Sequence, residues 1–413
     1  MSATISDIEV KGVKVPLLFE ESNSLPILNL QLIFKNSGFI EDGKSLGLAS
    51  ISSKMLNEGT LELGSSNFAQ KLDEKAITLN SASGFETLTI ELSSLKEQNS
   101  EALNLLNMLL ESPNLSEDSL EKVKTLQIGN LKRKENDFDY IASKGLNELL
   151  FKSTVLENPS SGTVESISNI SLDDVKLFLK DALVLNNLII VAGGDIKQDD
   201  LKNLLNPILN LFQEGEIKVK EKISFTSKIQ EKFLEKETEQ AYIYFGSNFN
   251  TNSTDEDNYK AKVASFIFGG GGFGSRLMEE VRVKRGLAYS AYANVSTNRL
   301  YSYFSGYLQT KNESSDEAIA LVKELLKDFV KDGVTKDELE AAKKFLTGSE
   351  PLRTETLAQR LNRAFMLYFK DLKQDYPKLE LEKIQNLSLE DLNNYIKSHN
   401  EIENLTFFVV RRK

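Results

Sequence analysis

The chain has no cysteine and a single histidine in 413 residues. The first absence excludes disulfides and thiolate chemistry and fits a reducing compartment. The second bears on metals, because a zinc site draws on several His, Cys or carboxylate ligands and only carboxylates and His399 are on offer here. His399 stands in YIKSHNEIEN, a polar helix end where a solvated imidazole is expected. No apolar run approaches the ~20 residues that span a bilayer, so no membrane span is expected. The opening MSATISDIEVKGVKV lacks a basic region followed by an apolar one and lacks a small-residue cleavage site, which predicts a cytoplasmic protein, or a periplasmic one had a leader been trimmed. Concentrated positive charge is missing as well. Fifty basic residues face 61 acidic ones, for a net charge of −11 spread along helical segments. Nucleic acid, which needs a basic footprint, is therefore not expected as a partner.

What is present is a chain too long for one core, since single cores stop growing at roughly 250–300 residues, and it is written twice. SLDDVKLFLKD at Ser171, followed by NNLIIVAGG, returns 217 residues on as SLEDLNNYIKS at Ser388, followed by ENLTFFVV. LSEDSLEKVK at Leu115 returns as VTKDELEAAK at Val334 after 219 residues, and the segment around Glu101 returns around Glu317 after 216. Three nearly equal spacings in colinear order predict a duplicated domain. Each half opens on alternating apolar segments that read as strands, continues into long amphipathic helices and ends on a strand. In EALNLLNMLLE, Leu103, Leu106, Leu109 and Leu110 share one face. Ser116, Thr335 and Ser388 precede acid-rich first turns as hydroxyl caps. Segregated strands and helices predict an α+β fold of two homologous domains, each an antiparallel or mixed sheet covered by helices. The expected domains are 1–212 and 241–413. The charged stretch 213–240 between them reads as a linker over the surface, in which a short strand can fit.

The N-terminal half carries IFKNSGFIEDGKSLGLASISSKMLNEGT, an apolar strand leading through a glycine-punctuated loop into a helix. It resembles the signature of the M16 peptidases, zinc enzymes that bear His-x-x-Glu-His on that helix. Gly38, Glu41 and Gly47-Leu48-Ala49 match ahead of the motif, and Met55-Leu56 and Gly59-Thr60 match after it. In that register the resemblance implies zinc-binding histidines at Ser50 and Lys54 and the general-base glutamate at Ser53. The chemistry needs two imidazoles one helical turn apart with a carboxylate beside them to deprotonate the bound water. Two serines and a lysine supply neither, and an ammonium repels a dication. The family's third ligand, a glutamate on a later helix, falls at Asn130 or a neighbour, and no acid occurs between Lys124 and Lys134. A catalytic zinc is thus not expected on this chain. A Ser–Lys dyad is the weaker reading: Ile51 stands three before Lys54, and although Ser50, four before it, could reach on a helix, no accompanying Ser-Asp-Asn or Lys-Thr-Gly is present. The resemblance also implies a substrate-binding edge strand beside an Asn-Ala turn, offered here by Asn80, Ser81 and Ala82.

The C-terminal half carries FIFGGGGFGSRLMEEVRVKRGLAYSAYANVS. Gly269, Gly270, Gly271 and Gly272 can take positive φ and let another backbone approach closely. A helix capped by Ser275 is expected to bury Leu277 and Val281 and to stop at Gly286, with a strand over 288–295. A phosphate cradle is a poor fit, because Gly-Ser-Arg stands where a P-loop needs Gly-Lys-Ser/Thr. The stretch is similar to the C-terminal M16 signature GGG-x-x-SRL…R-x-x-x-GL-x-Y. That likeness implies that Arg282 and Tyr289 hydrogen-bond the substrate near the scissile carbonyl.

Together the two stretches resemble a chain of the two-subunit M16B type, close to the mitochondrial processing peptidase. The resemblance implies a homologous partner that supplies the zinc, while this chain supplies Arg282, Tyr289 and the glycine loop. The expected function is substrate positioning in a heterodimeric zinc endopeptidase acting on peptides. The alternative is a catalytically inactive homodimer that binds or scaffolds peptides on the same fold.

Overall fold

In a computed structural model, which describes residues 3–226 and 228–413, the chain divides into two compact units. Neither is contiguous in sequence. The first comprises the residues up to Arg133, Pro159–Lys220 and Thr354–Met366; the second comprises Lys134–Asn158, Glu221–Arg353 and Leu367–Lys413.

The first unit holds a six-stranded sheet built from β1 (Thr4–Val10), β2 (Val13–Glu21), β3 (Ile27–Lys35), β4 (Thr78–Ser83), β5 (Thr87–Leu95) and β6 (Leu188–Gly194). Its order is β1-β2-β6-β3-β5-β4, with only β2 and β6 parallel. Lys11 and Gly12, both at positive φ, close the β1–β2 hairpin, as the tight two-residue turn requires. The second unit holds β7 (Glu231–Glu235), β8 (Gln240–Asn248), β9 (Ala288–Thr297), β10 (Ser302–Lys311) and β11 (Thr406–Arg411) in the order β7-β11-β8-β10-β9. Only β7 and β11 are parallel. Apart from the added β1, each strand of the second sheet has a counterpart of the same sense in the first, so the sequence repeat is a structural one. Among the described residues no helix is long and apolar enough to cross a membrane.

Helices cover both sheets, and their ends follow the sequence signals. Asp174, Glu338 and Asp391 donate backbone N–H groups to the hydroxyls of Ser171, Thr335 and Ser388, and Ser119 does the same to Ser116. Each such cap contributes about 1 kcal/mol. Leu103, Leu106 and Leu109 face the core with Leu110 packed behind them.

Three features depart from the sequence reading. A single cut into 1–212 and 241–413 does not describe the units, because the helix Phe138–Leu150 packs on β8 and β11 in the second unit. There Gly145 lies against the Phe408 ring, which a Cβ would approach to 2.4 Å. Most of the helix Leu357–Phe369, its counterpart in the second repeat, belongs to the first unit, where Arg360 Nε donates to the buried Glu20 carboxylate at 2.8 Å. Second, the stretch 213–240 is structured at both ends. Lys218 and Lys220 pair with Glu41 in the first unit, and Glu231–Glu235 forms β7. An edge strand needs no apolar alternation, since β11 supplies its ladder and the Arg411 guanidinium stacks on Phe233 at 4.5 Å. Third, His399 is not solvated. Its ring stacks on Phe249 at 4.5 Å and Nδ1 lies 2.8 Å from Glu401 Oε1, because the helix end tucks it between Phe249 and Tyr395.

Candidate functional site

In the first unit β3 runs through Gly38 into a short turn and then the helix Leu48–Met55, which carries Ser50, Ser53 and Lys54. Gly38 and Gly47 are there for space. A Cβ on Gly38 would lie 2.4 Å from the Gly84 and Phe85 carbonyls, and one on Gly47, at φ 88°, would lie 2.6 Å from Ile167. The helix start is held from outside, with the buried Asp42 carboxylate accepting from Gly47 N at 2.7 Å and Ala49 N at 2.8 Å. Burial pushes the Asp42 carboxyl up to about 6 against the opposing pull of those two donors.

Ser53 is buried and donates to the Ser50 carbonyl at 3.0 Å. Lys54 reaches to the helix Glu117–Lys134 and donates to Gln127 Oε1, while Gln127 Nε2 donates to the Ser161 carbonyl at 2.7 Å. Asn130, the residue expected opposite the motif, is exposed and bonded to Arg133. The sequence held the better signal. Leu120, Val123, Gln127 and Leu131 fall on one helical stripe and all are buried, which turns 127 inward and 130 outward. An ammonium thus meets an amide where a dication would need imidazoles and carboxylate, and among the described residues no group of three His, Asp or Glu side chains is placed to hold a metal. On the edge strand β4, Asn80 and Ala82 are exposed, and Asn57 clamps Ser81 between them. Asn57 Nδ2 donates to Ser81 O at 2.9 Å and its Oδ1 accepts from Ser81 N at 2.7 Å. Those are the two backbone groups a further strand would use.

In the second unit the helix Asn258–Ser265 widens into a π turn at Phe266–Gly270 and crosses the edge of β9 at Gly269. A Cβ there would lie 2.7 Å from Ala293 N and 2.9 Å from Ala293 O, so only glycine permits the crossing. Gly270 lies beside it, Gly271 packs on Phe266, and Gly272 turns the chain at φ 60° into open space. Ser275 accepts from Met278 N, starting the helical run that buries Leu277 and Val281. That run ends in a second π turn, Glu279–Lys284, before Gly286.

The structure brings Arg282 and Tyr289 together. The guanidinium carbon lies 4.5 Å from the Tyr289 ring centroid and 4.7 Å from that of Phe273, so it is held between two rings. Both rings are open to solvent, Tyr289 at 77% and Phe273 at 66%. Among the described residues no hydrogen bond engages the Arg282 N–H groups. Tyr289 is aimed outward because it is the extra residue of a β-bulge, with Ser290 opposite Gln309 and Ala288 opposite Thr310. The sequence reading missed Phe273, whose only signal is a large apolar side chain inside a glycine run. It also missed a tyrosine row across three strands. Tyr307 stands 5.6 Å from Tyr244 and 6.1 Å from Tyr292, and Tyr244 donates to Asp139 at 3.2 Å. Burial, with the Asp139 charge, pushes the Tyr244 phenol well above its usual range.

A family model described as "Insulinase (Peptidase family M16)" matches residues 20–164, and one described as "Peptidase M16 inactive domain" matches residues 169–346. A Helicobacter pylori protein named "Non-peptidase homolog YmxG" is 43% identical over 412 residues, covering 100% of this chain and 95% of that one. The chain belongs to the M16 peptidase family. An M16 inactive domain from Pseudomonas fluorescens superposes with a TM-score of 0.91 at 25% identity, covering 100% of this chain and 99% of that one. A Bacillus subtilis M16 relative, named an uncharacterized zinc protease, is 25% identical over 318 residues, 77% of this chain and 76% of its own.

Proposed function

We propose that this chain is the substrate-positioning subunit of a heterodimeric M16-type zinc endopeptidase, holding peptides for a metal that a second, homologous chain carries. The observation that supports it is Arg282, whose guanidinium lies over the rings of Phe273 and Tyr289 and whose donors, among the described residues, are unengaged. A guanidinium lying over aromatic rings is held in place without spending its N–H groups, which suits it to peptide carbonyls. A phenol beside it can donate to an oxyanion as charge develops. Of the four glycines, Gly272 alone faces open space where a substrate backbone could pass, since Gly269 and Gly271 are packed against Ala293 and Phe266. The Lys54–Gln127 contact gives a metal nothing to bind, so the reading assigns zinc to the partner.

The Asn57 clamp favours the second reading, an inactive homodimeric peptide binder or scaffold, because it closes the β4 edge at Ser81 to strand addition. Under the first reading Asn80 and Ala82 can contribute only through their outward side chains. The experiment that separates the two mixes this chain with a zinc-bearing M16 subunit, confirms the complex by size, and measures peptide cleavage. Arg282→Ala or Tyr289→Phe should lower turnover by about 10²–10³ with assembly intact, the usual loss for one oxyanion donor. Wild-type turnover from both variants would transfer belief to the scaffold.

A further inference from the structure

The second unit contains a cavity of about 450 Å³ along the outer side of β9, closed by the helices Asn258–Ser265 and Tyr376–Asn386 and by Lys370. We propose that this cavity binds a small ligand carrying an oxyanion, a carboxylate or a phosphate, with Lys370 as the charge that receives it and Asn294, Tyr292 and Ser253 as the groups that orient it.

The charges in the cavity are unequally matched. Lys262 is neutralised by Glu380 at 2.5 Å, and Glu380 also accepts from the Tyr376 hydroxyl at 3.3 Å. Lys370 has no such counter-ion among the described residues. Its ammonium donates to one neutral acceptor, the Thr297 carbonyl, at 2.6 Å, which leaves two of its three hydrogens. Burial alone pulls it below the ordinary lysine value. A half-buried cation with no carboxylate partner is costly, and an anion entering the cavity offsets that cost. Arg353 lines the same space and adds to the positive balance, in a chain whose net charge is −11. Among the described residues the Asn294 amide nitrogen, the Tyr292 hydroxyl and the Ser253 hydroxyl have no partners, and all three line the cavity. The volume lies within the ~300–1,000 Å³ of small-molecule sites and would admit a short peptide end.

The ligand is recognised by these side chains and not by adding a strand, because the outer edge of β9 is already occupied. Ala291 N donates to Met278 Sδ at 3.3 Å, Val295 N donates to Ser265 Oγ at 3.0 Å, Gly269 lies against Ala293, and Thr297 O is taken by Lys370.

The test titrates the purified full-length chain, alone, with three probes: inorganic phosphate, trialanine with a free carboxylate, and trialanine amide. Calorimetry reads binding in wild type, Lys370→Met and Asn294→Asp. The last keeps the acceptor that Ser265 Oγ uses at 2.7 Å but places a carboxylate in the cavity, and circular dichroism confirms that both variants are folded. Phosphate, free trialanine or both should bind, the amide should not, and each variant should weaken binding at least about tenfold, as expected for a charge-assisted contact. Binding of phosphate alone or trialanine alone identifies the source of the oxyanion. The proposal is overturned if neither anion binds at millimolar concentration, if the amide binds as well as the acid, or if both variants bind like wild type. Because no partner subunit is involved, failure here leaves the Arg282 reading standing.

Discussion

Asp42 pins the helix that carries Ser50, Ser53 and Lys54, and Asp42→Ala should release its first turn. The variant removes the acceptor of two backbone donors, Gly47 N and Ala49 N, at a position only 6% exposed. A buried donor left unpaired costs about 1–3 kcal/mol, and water reaching the opened turn recovers part of that, so a loss of about 2–4 kcal/mol is expected. Amide exchange at Ala49 should then quicken by about 10² at neutral pH, with little change in the second unit. The pH dependence has a definite sign. Asp42 titrates at about 6 in the folded chain against 3.8 for a free aspartate carboxyl, so the folded state holds this proton more tightly. The stability added by binding this proton is therefore absent above about pH 7, grows as pH falls through 6, and is complete below about 4, on top of the anchoring that the carboxylate already gives at neutral pH. The gap between wild type and Asp42→Ala should widen by about 1 kcal/mol between pH 7 and pH 5, read from urea midpoints of the transition that unfolds the first unit. A gap that narrows on acidification, or exchange at Ala49 unchanged in the variant, would refute the assignment.

Gly269→Ala should destabilise the second unit by about 1–3 kcal/mol, because its Cβ meets the Ala293 backbone, which cannot swing aside as a side chain can; thermal melting reads this. Gly145→Ala should cost a similar amount through the Phe408 ring and should loosen the helix Phe138–Leu150 in hydrogen exchange ahead of β10. Phe273→Ala removes one of the two rings on Arg282, an exposed cation–π contact of about 0.5–1 kcal/mol. In a mixed complex it should therefore lower turnover only about two- to fivefold, well short of Arg282→Ala.

The sheets and their helices were legible because the signals that make them are local. Alternation wrote β3, β8 and β10, and hydroxyl caps followed by acids wrote the helices starting near Glu117, Lys336 and Leu389. Duplication was legible as equal spacings. The sheet on which a helix packs was not, because the apolar stripe of Phe138–Leu150 would suit either sheet, and only the fit of Gly145 to Phe408 shows which one it covers. β7 could be allowed for only as a short strand somewhere within 213–240, because an edge strand with a charged outer face lacks periodicity. At the candidate site, Arg282 and Tyr289 could be named from a motif, but the bulge that aims Tyr289 and the Phe273 ring that completes the stack depend on pairing across β9 and β10 and on the path of a glycine loop. Gln127 was readable from its stripe, and counting along the chain to Asn130 overlooked it.

The most direct test of the functional account combines metal analysis with peptide cleavage by the purified chain, alone and mixed with a zinc-bearing M16 subunit. The account predicts no stoichiometric zinc and no cleavage from the chain alone, together with cleavage by the mixture that falls when Arg282 is replaced. About one zinc per chain, with chelator-sensitive cleavage by this chain in isolation, would contradict it.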